Sequence, residues 1–299
     1  IVRLLGLLVL LFVGVGLRIS GVLDGDRTQR LNDAAYYVAL PALIFVSTYD
    51  RAIGDLITPR LLSGLLAVLF ATAGLAGIVN RTRPDRRRRS VAIVQSYHSN
   101  LGYLGLPLVA ATFDGDVTAV ASVVLGVVSL TQVPLTVVVL TAINGTDASI
   151  AGELRQLARN PVLATLVLGL TVGSVGVSVP GVVVSGLDVL GALALPIALL
   201  CVGASLQVDL PTLDLGASAS VVGLKIACMP ALAWVAFGLL GVDAATFTGA
   251  VVMLGTPTAV STYVFTSELG GDEQFASLNV FLTTLGSVGT LFVLIRAVG

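Results

Sequence analysis

The charges of this chain are confined to short intervals between long apolar runs, and this constrains the fold more than any motif does. Ten such runs, each about 17 to 27 residues, extend from Ile1 to Leu17, Leu31 to Tyr49, Arg60 to Val79, Val91 to Thr112, Val117 to Ile143, Pro161 to Val177, Ser185 to Gln207, Leu215 to Leu240, Ala244 to Ser267 and Phe275 to Val298. Each suits a helix crossing a hydrocarbon core of roughly 30 Å. With 56% hydrophobic and 11% charged residues the chain departs from soluble domains, in which about a quarter of residues are charged. An all-α membrane protein is expected, with no soluble domain large enough for separate chemistry. The chain opens inside its first apolar run with no Met before Ile1, and that run reads as a span rather than a cleaved leader,.

Composition also excludes function classes. Cys201 and Cys228 both fall in apolar runs and read as small buried hydrophobes,. No metal-ligand set and no ATP-binding loop is present, so neither a metal nor a cofactor is expected. Asp50, Asp55, Asp114 and Asp116 are single loop acids without the spacing of an intramembrane metalloenzyme,. Nucleic-acid binding by so short a basic loop as Arg86 to Arg89 is not expected either.

Arginine placement sets the expected orientation. Arg18, Arg27, Arg30, Arg81, Arg83, Arg86 to Arg89, Arg155 and Arg159 collect on one side, against Arg3, Arg51, Arg60 and Arg296 on the other. The positive-inside rule makes the first set cytoplasmic and puts both termini outside a plasma membrane. The Arg86 to Arg89 run then reads as a topology and lipid-headgroup anchor.

The two halves echo each other. Ala39-Leu40-Pro41 is answered 155 residues later by Ala194-Leu195-Pro196, Asp33 by Asp188, and Ala121-Ser122 by Ala276-Ser277. Gly105-Leu106-Pro107 is answered by Gly255-Thr256-Pro257 at an offset of 150. Five spans per half is an odd number, so the second half would enter the membrane inverted. The expected division is 1–143 and 161–299 as the two repeats, with 144–160 as a cytoplasmic linker carrying a brief amphipathic turn.

Polar groups and helix breakers concentrate in two of the runs. The fourth contains Ser96-Tyr97-His98-Ser99-Asn100-Leu101-Gly102-Tyr103-Leu104-Gly105-Leu106-Pro107, with the only histidine of the chain. Pro107 cannot bond the Tyr103 carbonyl, nor Pro257 that of Met253, so each helix is expected to open at its proline. Opened helices at membrane depth expose dipole ends and free carbonyls that line cavities. Asn100, Tyr97, Tyr103 and Pro107 at one break, and Thr256, Pro257, Thr258 and Ser261 at the other, are the candidate substrate contacts. Asn100 leads them, because its amide offers donors and an acceptor to a carboxylate or an ion. His98 is either a proton or substrate contact or a packed histidine; two residues from Asn100, it shares a face with it only if the helix is unwound. Gly102, Gly105, Gly255, Pro41 and Pro196 are candidate hinges.

Lys225, the single lysine, lies near the middle of the eighth run. A charge there costs at least ~2.5 kcal/mol on insertion scales, so it needs a partner and a task. It either binds an anionic substrate or neutralises the carbonyl ends of the broken helices.

Three strings together give the chain a recognisable likeness. They are Asn100-Leu-Gly-Tyr-Leu-Gly-Leu-Pro107, the Leu31 to Ser47 segment with Ala39-Leu-Pro-Ala-Leu43, and Leu195-Pro-Ile-Ala-Leu-Leu-Cys-Val-Gly-Ala-Ser-Leu206, joined by the Lys225 to Pro230 pair. The chain resembles the auxin efflux carrier family, PIN-like permeases, over nearly its whole length, without the large central cytoplasmic region of the plant carriers. The resemblance implies ten transmembrane helices in two inverted five-helix repeats, with helices four and nine crossing at their prolines. It implies a scaffold domain from helices 1, 2, 6 and 7 and a transport domain from helices 3–5 and 8–10. It further implies secondary transport of a small organic anion, auxin-like or a dicarboxylate, by an elevator-like movement.

The expected partners are that anion, a proton or a sodium ion as coupling ion, the lipid bilayer and a second copy in a homodimer. A cation/proton antiporter or a bile-acid-type sodium symporter is the alternative within this architecture, and an antiporter would call for acids beside the crossing. A lipid-modifying intramembrane enzyme or a purely structural or receptor role is a further alternative, the last leaving both breaks unexplained.

Overall fold

The computed structural model describes residues 2–147, 149–205 and 215–299. Among them there is no strand, only one isolated antiparallel bridge between Ser99 and Thr258. The expected span ends at Ile1 and Gln207, and Leu206, lie outside these residues. The helices are α1 (Val2–Ile19), α2 (Gly25–Thr48), α3 (Ile53–Leu56), α4 (Pro59–Val79), α5 (Arg86–Tyr97), α6 (Leu101–Thr112), α7 (Gly115–Asn144) and α8 (Ile150–Ala158). There follow α9 (Pro161–Val175), α10 (Gly181–Ala192), α11 (Ala194–Ser205), α12 (Gly216–Leu240), α13 (Ala244–Leu254), α14 (Ser261–Glu268) and α15 (Glu273–Val298).

Among the described residues six helical segments are long and apolar enough to cross a membrane: α2, α4, α7, Gly181–Ala204, α12 and α15. A seventh is added if α8 and α9, bent by 53° at their junction, count as one. The chain is a multi-pass membrane protein. Its helix starts follow capping chemistry, with side chains accepting from the exposed first-turn amides. Asp24 caps α2, Asp85 α5, Asn160 α9, Asp243 α13 and Asp272 α15. The cap at Asp24 is why α2 begins at Gly25 rather than at Leu31, where the apolar run begins.

Three prolines are absorbed without breaking a helix. The segments Ala35–Ala39, Leu101–Gly105 and Gly223–Cys228 are π turns, and Pro41, Pro107 and Pro230 each follow one directly at the second position of regular helix. A proline ring clashes with the carbonyl four residues back, and a π turn shifts the bonding by one residue. The Leu40 amide thus reaches the Ala35 carbonyl and the Met229 amide that of Leu224. Opening at Pro107, expected from the sequence, is therefore not what occurs: the chain opens earlier, at His98–Asn100, and Pro107 lies within α6. Pro257 does lie in an open segment, between α13 and α14.

The chain divides into two compact units. One comprises Ile1–Thr58, Gly102–Gly126 and Arg159–Asp209; the other comprises Pro59–Leu101, Val127–Ala158 and Leu210–Gly299. In the first, α1 packs along α11, while α9 and α10 pack on α2. Small residues permit this closeness, as expected where lipid offers no hydrophobic drive. A Cβ on Gly191 of α10 would lie 3.0 Å from the Leu43 Cα of α2. In the second unit α12 packs on α4, α13 and α15. A cluster of Val91, Ala92, Val221, Phe275 and Ala276 joins α5, α12 and α15.

Candidate functional site

The second unit contains both open segments, and the two satisfy each other. Helix α5 ends at Tyr97, and His98 takes an extended conformation with φ −77 and ψ 101. From there the Asn100 amide donates to the Pro257 carbonyl at 2.9 Å, and the Ala259 amide to the His98 carbonyl at 3.0 Å. The Thr258 hydroxyl donates to the Gln95 carbonyl. The carbonyl of Met253, which the Pro257 nitrogen cannot serve, takes the Thr256 hydroxyl at 2.8 Å. Backbone groups freed by the two breaks are therefore paired, within a break at Met253 and across the breaks at Asn100, His98 and Gln95.

Lys225 closes the arrangement from α12. Its side chain is 0% exposed, and its Nζ donates to Ser99 Oγ at 2.7 Å, to the Leu254 carbonyl at 3.1 Å and to Met229 Sδ at 3.1 Å. Three acceptors match the three protons of an ammonium group. Leu254 is the last residue of α13, so the charge sits on the negative end of that helix,. Among the described residues no carboxylate forms an ion pair with it.

Asn100 differs from its neighbours. It is 3% exposed, its backbone amide is paired, and among the described residues no group hydrogen-bonds its side-chain amide, although the fully buried side-chain atoms left without a hydrogen bond are Arg51 Nε, Ser218 Oγ and Asn279 Oδ1. His98 is spoken for: its Nδ1 lies 2.8 Å from Thr136 Oγ1, which also lies 3.3 Å from the Tyr97 hydroxyl. Unwinding after Tyr97 removes the helical geometry that would set His98 and Asn100 on opposite faces.

The remaining sequence candidates are placed as follows. Thr256, Pro257 and Thr258 are buried in the second break, whereas Ser261 is exposed at the first turn of α14 and Thr262, next to it, is the residue that points inward. Tyr103, Pro107, Gly102 and Gly105 belong to the first unit, as do Pro41 and Pro196. Tyr103 packs there with its ring 5.8 Å from Tyr36. None of Gly102, Gly105 and Gly255 takes positive φ. Gly255 instead permits close packing, since a Cβ there would lie 2.5 Å from Leu294 Cδ1. Pro196 follows a single turn at Leu193.

Sequence reasoning missed a set of buried amides and hydroxyls. Gln132 on α7 accepts from the Ser99 amide at 3.0 Å and donates to the Ser99 carbonyl at 3.1 Å. Gln95 donates to Thr262 Oγ1 and to the Ala276 carbonyl, both at 3.0 Å, and accepts from Asn279 at 2.9 Å. A lone amide inside an apolar run was the available signal, since burying it without partners is costly.

On the second unit's charged rim, Arg88 pairs with Asp272 at 2.8 Å and Arg87 donates to the Gly270 and Gly271 carbonyls. Burial raises the Asp272 carboxyl, but the Phe275 amide and the Arg88 guanidinium outweigh it and hold the group below its usual range.

The chain as a whole is similar to known proteins. The chain matches the model of a family described as "Membrane transport protein" over residues 1–153 and 146–295. It is 26% identical to an "Uncharacterized transporter" of Methanothermobacter thermautotrophicus, over 96% of this chain and 94% of that protein. It is 24% identical to an "Uncharacterized transporter" of Methanocaldococcus jannaschii, over 94% and 93%. It is 27% identical to a "Putative malonate transporter" of Rhizobium meliloti, over 89% and 86%.

Proposed function

The chain belongs to the membrane transport protein family, that of the auxin efflux carriers, and from that premise we propose that it carries a small organic anion across the plasma membrane as a secondary active transporter. The observation that carries this reading is Asn100. Its side-chain amide bonds no described group and is free to donate its N–H protons to a ligand,. Two further features favour a negative ligand: the N-terminal end of α14, which follows the second break, and the unneutralised charge of Lys225,. The name of the Rhizobium relative points to a dicarboxylate.

In this reading Lys225 acts through the break and does not grip the substrate, because all three of its protons are engaged by Ser99, Leu254 and Met229. His98, engaged by Thr136, is a packing residue. Ten spans form two inverted five-helix repeats, with spans 3–5 and 8–10 as the moving part of an elevator and spans 1, 2, 6 and 7 as scaffold. The protein is a permease with no catalytic residue. Purified protein reconstituted in liposomes tests the reading directly: it takes up radiolabelled malonate or another small carboxylate, and a panel of carboxylates of which none is moved would refute it.

A further inference from the structure

Ser99 stands at the centre of the break, and its backbone amide is the group left there without a backbone acceptor. Its amide lies beyond the last regular bond of α5, made by the His98 amide to the Val94 carbonyl at 3.0 Å. Its position beside the isolated bridge gives Asn100 and His98 backbone partners but leaves the Ser99 amide to a side chain. The Ser99 carbonyl takes the Leu101 amide at 3.0 Å, and Gln132, 3% exposed on α7, gives the Ser99 amide its acceptor and that carbonyl a second donor. Its acceptor and donor pair with the Ser99 N–H and C=O as a neighbouring peptide group would. The Ser99 hydroxyl remains available to accept from Lys225 at 2.7 Å, and the following amide, that of Asn100, reaches Pro257.

We propose that Gln132 is a positioning residue of the transport site, a side-chain substitute for the backbone acceptor that the Ser99 amide lacks and a second donor to the Ser99 carbonyl, which fixes the break so that Lys225 and Asn100 take their places. The inference rests on the transport reading only for its consequence in uptake; the clamp itself stands on the two bonds. A primary amide presents one acceptor and one donor side by side. A protonated glutamate does the same, whereas an ionised glutamate offers acceptors alone and sets an oxygen against the Ser99 carbonyl. Gln132→Glu therefore turns the clamp into a pH-dependent one.

The titratable groups around Ser99 are Lys225 from α12 and His98 and Tyr97 from α5; among the described residues no buried carboxylate is present. Those groups exist in both proteins, so the difference between variant and wild type isolates the new carboxyl. Its protonated form is favoured by the fold, so its pKa rises on folding. The variant's stability relative to wild type is then full at low pH and is lost as pH rises through the folded pKa.

The test compares wild type, Gln132→Glu and Gln132→Leu between about pH 4, below the unfolded glutamate value, and about pH 8, by thermal unfolding and by uptake of radiolabelled malonate into proteoliposomes. Gln132→Glu should track wild type in acid and lose both melting temperature and uptake as pH rises, the uptake by on the order of tenfold. Gln132→Leu should be impaired throughout. If Gln132→Glu keeps a constant offset, or gains stability with rising pH because Lys225 draws its carboxylate, the clamp is wrong. It is equally wrong if Gln132→Leu carries malonate at the wild-type rate. If the melting profiles behave as stated while wild type moves no carboxylate, the clamp on Ser99 holds and the transport reading falls.

Discussion

The Lys225 ammonium donates to the Leu254 carbonyl, 3.1 Å away at the last residue of α13. The one lysine or arginine side chain buried among the described residues thus sits on the negative end of a broken helix, with Ser99 of the other break as its second oxygen partner.

Two effects oppose each other when Lys225 is replaced by Met, which keeps its length. Leaving the Ser99 and Leu254 acceptors without a donor costs about 1–3 kcal/mol, while removing a membrane-buried charge returns at least ~2.5 kcal/mol. Lys225→Met should therefore insert and melt near the wild-type temperature in detergent, yet lose uptake. Melting curves and uptake on one preparation check both halves.

For Asn100 the balance is simpler. Its side-chain amide makes no hydrogen bond among the described residues, so Asn100→Ala removes an unpaired polar group and breaks nothing internal. Its thermal stability should equal or exceed that of wild type, within about 1 kcal/mol. A marked loss of stability would show that the amide serves the fold.

Asp272 both caps α15, accepting from the Phe275 amide at 2.9 Å, and pairs with Arg88. Its folded pKa is depressed, so the stability it contributes is present above the unfolded value and is lost as pH falls through the folded one,. Asp272→Asn keeps a capping oxygen and loses the ion pair, worth about 0.2–1 kcal/mol for a partly exposed pair. Asp272→Ala also loses the cap, for a further ~1 kcal/mol. Melting temperatures below about pH 5 should fall less steeply in both variants than in wild type.

Close packing in the first unit has its own test. A Cβ on Gly191 would meet the Leu43 backbone at 3.0 Å, and backbone cannot swing aside. Gly191→Val should lower stability by about 1–3 kcal/mol, read as a lower melting temperature, whereas Gly186→Val, where nothing lies within 4 Å, should not.

How far the sequence reveals this arrangement depends on the kind of interaction. Apolar length locates six of the ten expected spans as helices long enough to cross a membrane, because lipid thickness fixes that length, and the Asn100 and Lys225 strings carry the family likeness,. The position of the first break is not legible, because a proline can be absorbed by a π turn, as at Pro107, and the chain opens instead where Gln132 and Pro257 supply partners to Ser99 and Asn100. Gln132 lies 33 residues from Ser99 and Asn279 184 from Gln95, separations that no local pattern bridges. Ser261 and Thr262 are equally polar in sequence, and only the rotation of α14 decides that Thr262 is the buried one.

The central claim is that the paired breaks form an anion site completed by the Asn100 amide. Uptake of radiolabelled malonate by proteoliposomes, measured side by side for wild type and Asn100→Ala after matched melting curves confirm equal folding, tests it most directly. The account predicts saturable uptake by wild type and none by Asn100→Ala; uptake by the variant at the wild-type rate and affinity would contradict it.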